Sequence, residues 1–281
     1  AYAPPPVTLY APTAGGYSAL AGAPGVSANN LNTLHQYLGT AATAIDPGSL
    51  PNGTPVTVGA LTVPVGLRSL SPSAYQNGYY GVASVDYNQS AKDSWRGRFI
   101  YNKFDGQDVN ASIPTFWAIE PQRYYLTTLS EYHTFSPSIT NEFRLGYNRF
   151  NQTIPVNSSQ KFPGLTVFPN IYVNELNLDM GPDDNAPQFT IQNTYQGTDN
   201  LTWIKGNHTL KFGYDIRKLI SPQGFTQRAR GDYEWNTLQG YLTDIQPDYF
   251  FERSTGNTTY YGDQLQNGVY ANDDWKPVSY T

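Results

Sequence analysis

The sequence predicts an all-β protein, an antiparallel transmembrane β-barrel section of about seven long strands with short periplasmic turns and long extracellular loops, incomplete as it stands. Three observations predict it. Charged residues make up only 14% of the 281 residues while aromatics reach 15%, yet the mean hydropathy is −0.50. That mixture suits strands with one face toward lipid and the other toward water. From Tyr79 onward apolar and polar residues alternate with a period of two. The connections between alternating segments are short and long in turn, the parity of an outer-membrane wall.

The opening Ala1-Tyr2-Ala3-Pro4-Pro5-Pro6 has no basic n-region and no apolar h-region, so it is not a signal peptide. For an exported protein, the leader is expected to have been removed or to lie upstream. Residues 1–78 carry only two charges, Asp46 and Arg68, and are rich in Pro, Ala, Gly and Ser. This composition predicts an extracellular loop region, with a disordered linker as the plainer alternative. A short helix is expected over 30–42, where Leu31, Leu34 and Leu38 recur at helical spacing and Gly39 stands near the end.

The remainder, 79–281, is expected to supply wall strands and extracellular loops. Tyr79, Gly81, Ala83, Val85 and Tyr87 share one face, with Ser84, Asp86 and Asn88 on the other. After the turn 89–93, Trp95, Gly97, Phe99 and Tyr101 oppose Arg96, Arg98 and Asn102. The unit recurs as 122–135 and 139–151 around Ser136-Pro137-Ser138, then as 187–204 and 208–220 around Lys205-Gly206-Asn207. A last, less regular strand is expected over 261–275. The segment Arg230–Trp235 also alternates; it is placed in an extracellular hairpin because a separate wall strand there breaks the in–out parity. A short helix is expected over 238–245.

Strands this long exceed the nine to eleven residues a tilted strand needs to cross a bilayer. Loop parity sends the strands that begin near Tyr79, Gln122, Pro187 and Tyr261 inward. A bacterial barrel of this type has an even number of strands, at least eight. The chain also stops at Ser279-Tyr280-Thr281, where an outward strand is due. Neighbouring strands are therefore expected at both edges.

Tyr87, Trp95, Tyr132, Trp203 and Trp275 lie near the short turns and are candidates for an aromatic membrane girdle in contact with outer-membrane lipid. Core aromatics of a soluble sheet are the alternative. Arg96, Arg98, Arg144, Lys211 and Arg217 fall in the inward-facing polar row. There they line the lumen and meet a plug or an anionic solute, or they pair with Asp86, Glu142 and Asp215 across neighbouring strands. Glu175, Asp179, Asp183 and Asp184 offer oxygen ligands for Ca²⁺ in the second long loop. They lack EF-hand spacing, and a solvated acidic loop is the favoured reading.

Several segments resemble a known family. Ser84-Val85-Asp86-Tyr87-Asn88, Arg96-Gly97-Arg98-Phe99-Ile100-Tyr101-Asn102, Glu131-Tyr132-His133-Thr134-Phe135-Ser136-Pro137 and Thr140-Asn141-Glu142-Phe143-Arg144-Leu145-Gly146-Tyr147 are similar to TonB-dependent outer-membrane receptors of the Oar-like acidobacterial type, which carry a carboxypeptidase-regulatory-like domain. Lys205-Gly206-Asn207-His208-Thr209-Leu210-Lys211-Phe212-Gly213 and Asn272-Asp273-Asp274-Trp275-Lys276 resemble two further hairpin segments of that family. The resemblance covers 79–281. It implies a larger barrel of which this chain is a middle section, a plug domain filling it, and uptake of a solute energised by TonB through that plug.

Other classes fit poorly. No run of about 18 apolar residues exists, so no transmembrane helix is expected. Cys is absent, which removes disulfides and thiolate chemistry. The net charge of −5 disfavours nucleic acid as a partner. His35, His133 and His208 show no paired ligand spacing, and GxSxG, P-loop and Rossmann signatures are missing. No enzymatic activity, cofactor or metal is expected. The rival functions are a β-rich surface adhesin or assembly protein, and a soluble carbohydrate-binding β-protein.

Overall fold

A computed structural model describes residues 6–157, 159–256 and 259–277. The expectations for Ala1–Pro5 and for Ser279–Thr281 lie outside the described residues. Seven long antiparallel strands form the main sheet: β1 (Gln76–Asn88), β2 (Asp93–Gln107), β3 (Ile119–Ser136), β4 (Ile139–Ile154), β5 (Gln188–Lys205), β6 (His208–Ile220) and β7 (Gln264–Trp275). They pair in sequence order. Two short strands bring the sheet to nine, Pro222–Phe225 and Thr259–Tyr261. They continue β6 and β7 without a change of register: Ile220 faces Asn193 and Gln223 faces Thr190, while Leu219 faces Gln264 and Pro222 faces Tyr261. The sheet does not close. β1 and β7 are its edges along most of its length, and every residue in both is exposed.

The short turns have local causes. Ser90 Oγ accepts from the backbone N–H groups of Lys92 (3.1 Å) and Asp93 (3.0 Å), closing the β1–β2 hairpin. Ser136 Oγ accepts from Ser138 N–H beside a register shift between Thr134 and Ser136. Gly206, at φ +61°, opens the two-residue turn between β5 and β6, where a side chain is disfavoured. The longest strands, β3 and β5, have 18 residues each. At about 3.3 Å per residue they run close to 60 Å, twice the hydrocarbon thickness.

At the other end the long connections fold together. Val7–Pro12 pairs antiparallel with Val65–Leu70. Helix α1 (Ala14–Ala21) is capped by Thr13 Oγ1 accepting from Gly16 N–H, and α2 (Ala28–Leu38) by Ser27 Oγ accepting from Asn30 N–H. Helix α3 (Leu238–Leu242) is capped by Thr237 Oγ1. A separate four-stranded sheet joins Leu178–Met180, Asn170–Val173, Asp232–Trp235 and Phe250–Glu252.

Residues 7–70 are therefore far more structured than their composition predicts. Leu9, Leu20, Leu34, Leu38, Val58 and Val63 are buried in a core shared with residues from later connections, so their order depends on partners distant in sequence. The hydrophobic core draws on Leu9, Leu34, Phe116, Phe168, Leu176 and Leu242. Every member of it lies outside the seven long strands.

Candidate functional site

The wall has two chemically unlike faces, set by the two-residue period of each strand. Across one face, Asp86, Arg96, Ser130, Arg144, Thr198 and Asp215 stand opposite one another in successive strands. Across the other, Val85, Gly97, Leu129, Leu145, Gly197 and Ile216 do the same. Val85 is 68% exposed and Leu145 47%. Such apolar exposure is costly in water and favourable in lipid.

Tyr87 and Trp95 are cross-strand partners on the apolar face, and Trp95 Nε1 donates to Gln89 Oε1 at 3.1 Å. Trp203 and Trp275 share that face near the turn end. Trp275 stacks on His208 with ring centroids 5.9 Å apart. Tyr132 does not join them. It lies in register with Ser94 and Glu142, on the polar face, and the Arg96 guanidinium sits 4.9 Å from its ring centre. A one-residue offset along a strand reverses the face, so nearness to a turn does not decide membership of a girdle.

All five basic residues of the polar row do share the polar face. Their pairing differs from the cross-strand alternative drawn from sequence. Arg144 pairs with Glu142 and donates to Ser130 Oγ at 3.3 Å, and Arg217 pairs with Asp215 at 2.9 Å. Both ion pairs run along one strand. Only Lys211 reaches across, to Asp274 at 2.8 Å. Among the described residues Arg96 and Arg98 form no ion pair, and with Arg144, Asp86, Ser130 and Tyr132 they border a groove of about 420 Å³. Unneutralised guanidinium groups beside hydroxyls are suited to anions.

In the loop assembly, three of the four carboxylates considered for Ca²⁺ come together. Asp183 accepts from Asn110 Nδ2 (2.7 Å), Asp184 from Tyr172 OH (3.0 Å) and Asp179 from Ser112 Oγ (3.1 Å). Glu175 turns away and accepts from Leu238 N–H at 2.8 Å, at the N-terminus of α3. Burial, reinforced by the charge of Asp184, pushes the Asp179 carboxyl up to about 7. Burial also raises Asp184. These carboxylates are thus engaged by the protein, and burial biases Asp179 and Asp184 toward their protonated forms.

Sequence reasoning missed the residue that organises them. Arg230 is 7% exposed and donates to the carbonyls of Ala186 (2.8 Å), Phe168 (2.7 Å), Pro182 (3.1 Å) and Asp183 (2.6 Å) and to Asn170 Oδ1 (2.6 Å). Arg228 pairs with Asp232 (2.6 Å) and Glu252 (3.2 Å). A signal was present, since Arg228, Arg230 and Asp232 crowd together in a chain only 14% charged. Beside them a pocket of about 370 Å³ is lined by Phe162, Leu165, Ile171, Tyr233 and Trp235, with Asp244 at its border. Its apolar walls and few polar groups suit a small ligand.

No curated protein and no solved structure matches the chain. A family model described as an outer membrane beta barrel domain matches residues 6–279. It spans the wall and the folded connections alike. The chain therefore belongs to the outer membrane beta barrel domain family, as a protein of the bacterial outer membrane.

Proposed function

We propose that this chain forms wall and extracellular loops of a TonB-dependent outer-membrane receptor that takes up a small solute without catalysing a reaction. The observation that carries the reading is the separation of the hydrophobic core from the wall. Every core residue lies in the connections at one end, whereas the seven strands offer one apolar and one polar face. A soluble sheet places its core against the sheet, while a membrane wall turns its apolar face to lipid.

In this reading the short turns are periplasmic and the folded connections are extracellular. The pocket beside Tyr233 and Trp235 captures solute there. The polar face lines the lumen, where Arg96 and Arg98 meet the plug or an anionic solute. The exposed edges of β1 and β7 pair with further strands of the same receptor, and TonB acts through the plug. The similarity of the 84–102, 131–147 and 205–213 segments to TonB-dependent receptors supports the energised form of this function.

The test is solute uptake by cells bearing the protein in their envelope, with and without functional TonB. Accumulation that depends on both is expected. Uptake unchanged by loss of TonB overturns the energised reading, and recovery of the folded protein in the aqueous phase overturns the wall.

A further inference from the structure

We propose that Asp93, Glu131 and His133 form a Zn²⁺ site that ties β2 to β3 at the short-turn end of the wall. One ligand atom from each residue lies within 4.8 Å of the other two. Asp93 opens β2, and it stands directly opposite His133 of β3. Glu131 lies two residues before His133 and directly opposite Trp95, so the pleat puts all three side chains on the apolar face, beside the short turns. An imidazole nitrogen with two carboxylate oxygens is a set that Zn²⁺ accepts. Neighbouring ligand atoms around tetrahedral zinc stand roughly 3.3–3.5 Å apart, given metal–ligand distances of about 2.0–2.2 Å. Asp93 Oδ1 and His133 Nδ1 already touch through a hydrogen bond, so on metal binding they part slightly and exchange that bond for ligation while Glu131 closes in.

The three groups are also held and accessible. Ser90 Oγ donates to Asp93 Oδ2 at 2.6 Å, which fixes the carboxylate and leaves Oδ1 toward His133. The His133 ring packs edge-on against Phe135, with centroids 4.3 Å apart. Outer contacts of this kind orient metal ligands. The His133 and Asp93 side chains remain 30% and 24% exposed beside the short turns, at the level of the Trp95 girdle where the proposed wall meets water, so an ion has a route in and water can complete its coordination. The strands supply a rigid base. Scanning for His–His spacing misses the site because it holds a single histidine and its ligands come from two strands.

The wall contains its own control. His208 and Asp273 form a second cross-strand His–Asp pair at 2.7 Å. Among the described residues that pair has no third ligand. If the first cluster is only an ion pair, both pairs respond alike to metal.

The experiment titrates the intact protein in detergent with Co²⁺, followed by its visible absorption, and displaces the Co²⁺ with Zn²⁺ under calorimetry. His133→Asn, Glu131→Gln and His208→Asn are compared, with circular dichroism confirming that each is folded. One site per chain is expected, abolished by His133→Asn, weakened about tenfold or more by Glu131→Gln and unchanged by His208→Asn. Zn²⁺ is also expected to raise the unfolding temperature of the parent and of His208→Asn, but not of His133→Asn, because it binds the folded state. Absence of a Co²⁺ band, binding that survives both cluster substitutions, or equal loss in His208→Asn overturns the proposal.

Discussion

Replacing Asp179 by Asn should make the loop assembly more stable at alkaline pH and leave it unchanged in acid. Burial raises the Asp179 carboxyl from 3.8 to about 7, with the Asp184 charge adding to it. Its Oδ1 has no hydrogen-bond partner among the described residues. A raised carboxyl contributes stability that is fully present below its unfolded value near 3.8 and lost as pH rises through about 7. Each tenfold change in proton affinity is worth about 1.4 kcal/mol, so the full displacement corresponds to about 4 kcal/mol. Asn keeps the shape and cannot ionise. The assay is urea unfolding of the assembly in the intact protein, followed by the emission of buried Trp117 and Trp235, at pH 4, 6 and 8. The stability difference between Asp179→Asn and the parent should be near zero at pH 4 and grow to several kcal/mol at pH 8. A difference flat across that range refutes the buried, proton-holding carboxyl.

Three further outcomes follow from the same structure. Leu129→Arg should hinder membrane assembly by about 2–4 kcal/mol, whereas Thr128→Arg one residue away on the polar face should be tolerated; heat-modifiable migration of outer-membrane fractions reads the contrast. Arg230→Met should destabilise the loop assembly by about 3–5 kcal/mol, since four carbonyls and Asn170 lose a buried charged donor; hydrogen exchange around Phe168 and Asp183 should rise while that of β3 and β4 stays protected. Gly213→Ala places a Cβ 1.9 Å from the Tyr270 ring and should break the Tyr270–Asn200 hydrogen bond, costing about 1 kcal/mol; adding Tyr270→Ala should remove most of that cost.

The seven strands, their order and the parity of their connections are legible in the residues because each strand carries its own period of two. β6 has the bounds that alternation assigns, and β2 extends past Asn102 only because its pairing with β3 continues to Gln107. The short segment at Asp232–Trp235 pairs with Phe250–Glu252, as parity requires. Helix α2 spans Ala28–Leu38, not 30–42, because Ser27 caps it earlier and the chain leaves the helix at Gly39. Tyr132 shows the limit of the local method, since position near a turn says nothing about parity.

Local alternation by itself determined a two-faced wall, since each residue's face depends only on its neighbours along the strand. Tertiary structure alone decided that residues 7–70 fold rather than trail, that Arg230 gathers carbonyls from Phe168 to Ala186, and that Asp93 meets Glu131 and His133. Those contacts join segments far apart in sequence or on different strands, and no period within one segment encodes which distant partner will satisfy a buried charge or complete a ligand set.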